Sequence, residues 1–293
     1  MDLDIAGIHF TVRSKERILL EEPQPAYRPF IKKPGSGAFT IPVSLEMHDF
    51  PRTETLPRVF ESGESWSAFR DGDAYVMSLV SPEWDEPVWS MRFNPAFDHV
   101  HVCLGKALVA DVNGTPRVSD LFTYPLGQLL LMYVLAHKEG ALVHAAGVVF
   151  KEKAYIFPGR SGAGKSTISN LFQSRGYEVL SDDRVAIRKI GGGYKAFGTP
   201  WSGQADIALN SEVTLGGIFF IRQGSKNEII TLTPGAAAER LFPVTSIPWY
   251  DEETMSRILL FCEDLLVHLP SYELYFRPDE RVVDIIDEFL SAP

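Results

Sequence analysis

The chain has 293 residues, 45% hydrophobic and 23% charged, with a formal net charge of −10. That length supports a large core and either two structural units or one elaborated domain. The acidic balance argues against nucleic acid as the main partner, and two cysteines, Cys103 and Cys262, with no CxxC pair, argue against structural zinc and a disulfide framework.

The opening MDLDIAGIHF lacks the basic start and long apolar run of a signal peptide. The first 120 residues read as strands and loops. Strands are expected over Ile8 to Val12, Ala74 to Leu79 and His99 to Leu104, with Pro, Gly and Ser punctuating them, as at Lys33 to Gly37. No chemistry can be assigned to this region from its residues.

The texture changes near residue 120. Pro125 suits the first turn of a helix through about Lys138, which Gly140 would end. The longest apolar run, Leu129 to Ala136, falls in that helix. It is far short of the roughly 20 residues that span a bilayer, so the expectation is a cytoplasmic protein with no membrane partner. ALVHAAGVVF and AYIF then read as two buried strands. GRSGAGKST, residues 159–167, follows the second strand directly. Ile168, Leu171 and Phe172 recur at helical spacing, and Gly176 stops that helix.

Further on, YEVLSDDRVAIRKI reads as one or two strands broken at Asp182 and Asp183. Gly191 to Gly193 turn a hairpin into YKAFG. Thr233 and Pro234 open a short helix through about Leu241. Asp251 is expected to cap the next, with Met255, Ile258, Leu259, Cys262, Leu265 and Leu266 on one face. In that stripe Cys262 reads as a small buried hydrophobe. A last helix carries Val282, Val283, Ile285, Ile286, Phe289 and Leu290. The boundary that follows sets a β-rich region, 1–120, apart from an α/β nucleotide-binding domain, 121–293.

The strand, glycine loop and helix around GRSGAGKST are the context a phosphate-binding loop needs. Gly159, Arg160, Ser161, Gly162, Ala163 and Gly164 would turn successive N–H groups toward phosphate oxygens. The following helix N-terminus adds positive potential. Lys165 would reach the β- and γ-phosphates, Ser166 would ligate Mg²⁺, and Thr167 would lie near the α-phosphate. The motif specifies nucleoside triphosphate binding and leaves the reaction open.

Asp182 and Asp183 suit metal binding and proton acceptance; the same pair beside Arg184 also fits a solvated turn. His144, in an apolar strand, fits a satisfied core histidine as well as a group near the γ-phosphate. TPWSG, residues 199–203, suits a rigid cleft edge, where Trp201 would stack on a base or cover a substrate, or else simply fill the core.

The succession LVHAAGVVF, FPGRSGAGKST, LSDDRVAIR and FGTPWSG resembles the C-terminal kinase domain of the HPr serine kinase/phosphorylase family. It is more similar still to the HPr-kinase-related group that carries the SGAGKST form of the loop, as is the ending YELYFRPDERVVDIIDEFL. The resemblance covers roughly residues 120–293. It implies a fold akin to phosphoenolpyruvate carboxykinase, a mixed and strongly twisted sheet with a phosphate loop. It implies Mg²⁺-ATP and transfer to a hydroxyl, usually of serine. Carried over, Lys165 and Ser166 bind phosphate and metal, Asp182 and Asp183 divide metal binding and proton acceptance with Asp183 as the base, and His144 matches a histidine near the reacting phosphate. Homo-oligomers are frequent in the family.

The chain departs from the family in three places. Thr167 stands where HPr kinases generally carry Glu, the second signature is missing, and the first 120 residues do not resemble the regulatory domain. The resemblance therefore implies a serine acceptor in a protein, a peptide or the free amino acid, without singling out HPr. A nucleotide-binding or sensing protein acting through a partner is the competing expectation. A hydrolysing switch is disfavoured, because no NKxD-type base-reading motif is present. Arg160, Arg184 and Arg222 are candidates to steer an acceptor.

Overall fold

Short runs rich in apolar residues make a succession of strands in the first 118 residues, and longer apolar runs then alternate with helices. The result is a mixed α/β protein with several sheets and a β-rich N-terminal region. The computed structural model describes residues 1–14, 16, 18–20, 24–32, 39–63, 65–118, 122 and 125–291. The punctuation expected at Lys33 to Gly37 and the boundary expected at 120/121 lie outside the described residues. The chain divides into two compact units, Met1–Leu130 and Leu131–Pro293.

The first unit contains strands β1 (Asp2–Ile5), β2 (Ile8–Ser14), β3 (Leu19–Leu20), β4 (Thr40–Met47), β5 (Arg58–Ser62), β6 (Trp66–Asp71), β7 (Ala74–Leu79), β8 (Trp89–Phe93), β9 (Val100–Leu104), β10 (Val109–Val112) and β11 (Thr115–Val118). Eight of them form one sheet in the order β1-β2-β4-β9-β8-β7-β6-β5, and the small sheet β10-β11-β3 stands apart. The pairs β2–β4 and β4–β9 are parallel. Phe10, Tyr75 and Phe93 are each fully buried in this unit. The three expected strands fall in β2, β7 and β9.

Helix α1 (Leu126–His137) carries the division between the units. Gly140 does not end it. The left-handed residue after α1 is Glu139, at φ 49°. Gly140 instead starts β12 (Gly140–Phe150), where an added Cβ would lie 2.6 Å from the Ile187 carbonyl oxygen. Close strand approach, not helix termination, requires the glycine.

The rest of the second unit runs β13 (Lys153–Pro158), α2 (Lys165–Ser174), β14 (Val179–Ser181), β15 (Arg184–Ile190), β16 (Gly193–Gly198), β17 (Glu212–Gln223), β18 (Glu228–Thr231), α3 (Pro234–Leu241), α4 (Glu252–His268), β19 (Ser271–Phe276) and α5 (Arg281–Ser291). The sheet order is β13-β12-β15-β16-β17-β19-β18, with β14 on β12 and a further parallel pairing of β13 with β17. Gly191 and Gly192, both at positive φ, turn β15 into β16, the conformation a two-residue hairpin demands. Asp251 stands at the N-cap of α4, but no backbone N–H of the first turn reaches its side chain. Its carboxylate accepts the Thr254 hydroxyl at 2.6 Å instead.

One core lies where α2 and α5 cover the sheet. Ile168 and Phe172 of α2 and Val282, Val283 and Ile286 of α5 meet Phe157, Phe219 and Leu274 of the strands. Full burial of each such side chain contributes about 1.5–3 kcal/mol, which fixes α2, and the loop before it, against the sheet. Cys262 is fully buried, and burial pushes its thiol up to about 12. Among the described residues no helix is long and apolar enough to cross a membrane.

Candidate active site

The site forms where β12 changes partners. Residues 140–144 of β12 pair with β15, and residues 145–150 pair with β13. At that point the His144 carbonyl accepts the Gly159 N–H at 3.2 Å, and the Ala145 N–H donates to the Asp183 carbonyl at 3.0 Å. One strand thus joins the glycine loop to the aspartate pair.

The loop occupies 159–164, between the end of β13 and the start of α2. Gly162 and Gly164 take φ of 80° and 108°, values that side chains other than glycine rarely adopt. At Gly164 a Cβ would also lie 2.5 Å from the Phe276 ring. The loop delivers Lys165 as the first residue of α2, only 7% exposed. Its Nζ donates to the Gly159 and Arg160 carbonyls at 3.0 and 3.2 Å, so one ammonium ties the curled loop to the helix. Burial holds this ammonium below the ordinary lysine value, Arg184 adds to that, and Asp183 and Asp182 oppose it.

Asp182 and Asp183 occupy the break between β14 and β15. The Ser181 hydroxyl, fully buried, accepts the Asp183 and Arg184 N–H groups at 3.2 Å each and makes the turn. The two carboxylates then have different surroundings. Asp182 is 1% exposed and accepts backbone N–H groups from Gly203 at 2.7 Å, Ala205 at 2.7 Å and Ile207 at 3.4 Å. It clamps the 203–207 loop, and Gly203 has to be glycine, since a Cβ there would lie 2.7 Å from Asp182 Oδ2. Ser166 Oγ lies 3.5 Å from the same oxygen. Asp183 is 27% exposed, with His144 Nε2 at 2.9 Å and an Arg184 nitrogen at 3.8 Å. Burial alone would raise its pKa; the His144 hydrogen bond and the charges of Arg184 and Lys165 outweigh it and hold the carboxyl below its ordinary value.

The Asp182 clamp has a measurable consequence. Asp182→Ala leaves the Gly203 and Ala205 N–H groups without their acceptor, a loss of about 2–3 kcal/mol. Thermal melting should fall by about 5–10 °C. An unchanged melting curve would show that Asp182 does not hold this loop.

A cavity of about 360 Å³ gathers His144, Ser161, Gly162, Gly164, Lys165, Ser166, Thr167, Asp182 and Asp183. Gly203, Gln204 and Gln223 complete its wall. Sequence reasoning missed both glutamines; Gln223 donates from its amide to the Gly162 carbonyl at 3.2 Å. Their only signal was position, after TPWSG and at the end of a strand beside the loop strand. Gly159, Arg160 and Ala163 line a second cavity instead. Trp201 is 7% exposed and lines neither cavity; it fills the core.

The family model described as SynChlorMet cassette protein ScmC matches residues 121–259. That span, a little under half of the chain, contains the glycine loop, His144 and both aspartates. Among solved structures, the chain is similar to one described as the Hpr(Ser) kinase/phosphatase from Coxiella burnetii. The identity is 12%, over 52% of this chain and 99% of that one, with a TM-score of 0.31. A likeness at that level carries no argument about activity. No curated protein sequence matches the chain significantly.

The donor set can be tested against a divalent cation. No group of three or more His, Cys, Asp or Glu among the described residues could hold a metal. One hydroxyl, Ser166, and one carboxylate, Asp182, meet at the cavity wall. Mg²⁺ is commonly held by one or two protein oxygens plus phosphate oxygens and water. The residues therefore fit a Mg²⁺ that arrives with a polyphosphate, not one held by protein alone.

Proposed function

We propose that the chain is an ATP-dependent kinase that transfers the γ-phosphate of ATP to a hydroxyl, a serine in a protein, a peptide or the free amino acid. The observation that carries this reading is a single one: Lys165, Ser166, Asp183 and His144 line the same cavity. A phosphate-holding cation and an accessible carboxylate fixed by a histidine make up the minimum that phosphoryl transfer asks of a protein. The finer fold reading, a P-loop sheet of the phosphoenolpyruvate carboxykinase and HPr-kinase kind, belongs to the same proposal.

In this account the loop N–H groups, the α2 N-terminus and Lys165 hold the β- and γ-phosphates. Ser166, with Asp182 beside it, would hold Mg²⁺, which when bound neutralises charge on the phosphate oxygens. The acceptor hydroxyl oxygen forms the new bond to the γ-phosphorus. The bond from that phosphorus to the bridging oxygen breaks, ADP leaves, and the hydroxyl proton passes to Asp183. His144 holds the Asp183 carboxylate through Nε2. A low pKa suits this base, because a loose transition state removes the proton late and places little demand on basicity.

The N-terminal unit, with an eight-stranded sheet of its own, favours a second reading in which the nucleotide site serves sensing through a partner. Label transfer from γ-labelled Mg²⁺-ATP to free serine, HPr or proteins of a cell extract separates the two. Labelled phosphoserine supports the kinase. Nucleotide binding with no labelled acceptor removes it in favour of the sensor.

A further inference from the structure

A second cavity, of about 280 Å³, shares the glycine loop as a wall but opens on the other face of the sheet. Phe157, Phe219, Ile221 and Leu274 belong to the core beneath α2 and α5. Side chains alternate along a strand, so Phe220 and Arg222 of β17 and Glu273 of β19 fall on the opposite face, where α3 brings Arg240. Glu273 is only 5% exposed. Its Oε1 accepts from Arg222 Nε at 2.6 Å and from Arg240 Nε at 3.0 Å. Arg240 Nη1 also donates to the Ala236 carbonyl at 2.7 Å.

A buried carboxylate that engages two guanidiniums through Nε leaves their outer nitrogens as unspent donors. Both terminal nitrogens of Arg222 and one of Arg240 have no partner among the described residues. Arg160, exposed on the same cavity, has none either. Burial alone would raise the Glu273 carboxyl, but the two arginines hold it below its ordinary value and keep it charged. Three guanidiniums face two carboxylates, Glu273 and the exposed Glu239. This is a locally basic pocket in a chain of net charge −10. Its other walls are apolar, with Phe220, Pro243 and Val244 among them.

We propose that this cavity is a second ligand site, which takes an oxyanion, carboxylate or phosphate, carried on an apolar body. Fixed guanidinium forks match the paired oxygens of both groups, and the apolar walls suit the body. The proposal stands on Arg222, Arg240 and Glu273 and does not depend on the transfer reaction.

The test titrates phenyl phosphate and benzoate separately into the full chain, its Lys165→Ala variant and its Arg222→Gln variant. Arg222 is 57% exposed, so Arg222→Gln should fold, and a melting curve checks that it does. The expected result is binding of at least one probe, kept in Lys165→Ala and about tenfold or more weaker in Arg222→Gln. Arg240→Gln should weaken it as well, and the tighter probe names the group. Binding lost in Lys165→Ala but kept in Arg222→Gln would assign the anion to the glycine loop and overturn the proposal. So would no binding of either probe to the wild type.

Discussion

Lys165→Ala should lower phosphoryl transfer by about 10²–10³-fold, the cost of losing one fixed charge stabiliser from a transition state. Two losses combine in this variant. The ammonium that would face the β- and γ-phosphates is removed, and so is the tie between α2 and the Gly159 and Arg160 carbonyls. The loop should then lose nucleotide affinity along with rate. Lys165→Arg keeps the charge but is too bulky for a position only 7% exposed, so it should rescue little. Initial rates at saturating nucleotide, with nucleotide affinity measured on the same proteins, check this. A Lys165→Ala protein with wild-type turnover would show that the loop does not take part in transfer.

Asp183→Asn should lower turnover by about 10²–10⁴-fold, the usual contribution of a positioned proton acceptor, while nucleotide affinity changes little. The separation follows from position. Asp183 is partly exposed on the cavity and faces His144, whereas the phosphates are assigned to the loop. The amide preserves shape and still accepts from His144 Nε2, so a fall in rate reports the lost proton acceptor and not a collapsed wall. The pH dependence has a definite sign. The folded carboxyl lies below its ordinary value of 3.8, so the base stays ionised until the pH falls toward that lowered value, while its share of stability is present above 3.8 and is lost as the pH falls from there through the lowered value. Any acid limb from Asp183 in transfer rate should have its midpoint below pH 3.8. An Asp183→Asn enzyme that turns over normally would remove the base assignment.

How much of this was legible in the sequence depended on how local the signal was. The glycine loop could be read because its residues are contiguous and its strand and helix flank it directly. The break at Asp182 and Asp183 was visible because two carboxylates interrupt an otherwise apolar strand. What separates the two aspartates was not visible. Asp182 accepts N–H groups from Gly203, Ala205 and Ile207, more than 20 residues on, and no spacing rule links a carboxylate to such distant N–H groups. From its strand alone, His144 fits a core histidine as well as a group near the γ-phosphate. Only the point where β12 leaves β15 for β13 puts its ring against Asp183.

Gly140 has the residue type that ends a helix, but a tertiary contact, the Ile187 carbonyl, decides its role. Asp251 takes the expected N-cap position, and its carboxylate serves the Thr254 hydroxyl, three residues on, instead of a backbone N–H. Arg222 could be named as a candidate but not ranked. Its importance comes from Glu273, which reaches it through strand pairing and not through sequence proximity.

The proposed function requires that the loop at 159–164 and Lys165 hold the phosphates of a nucleoside triphosphate. Calorimetric titration of Mg²⁺-ATP into the full chain and into Lys165→Ala tests it most directly, since it needs no knowledge of the acceptor. The wild type should show one site per chain, and the variant at least a tenfold loss of affinity. Equal affinity in both proteins, or no binding to the wild type, would contradict it.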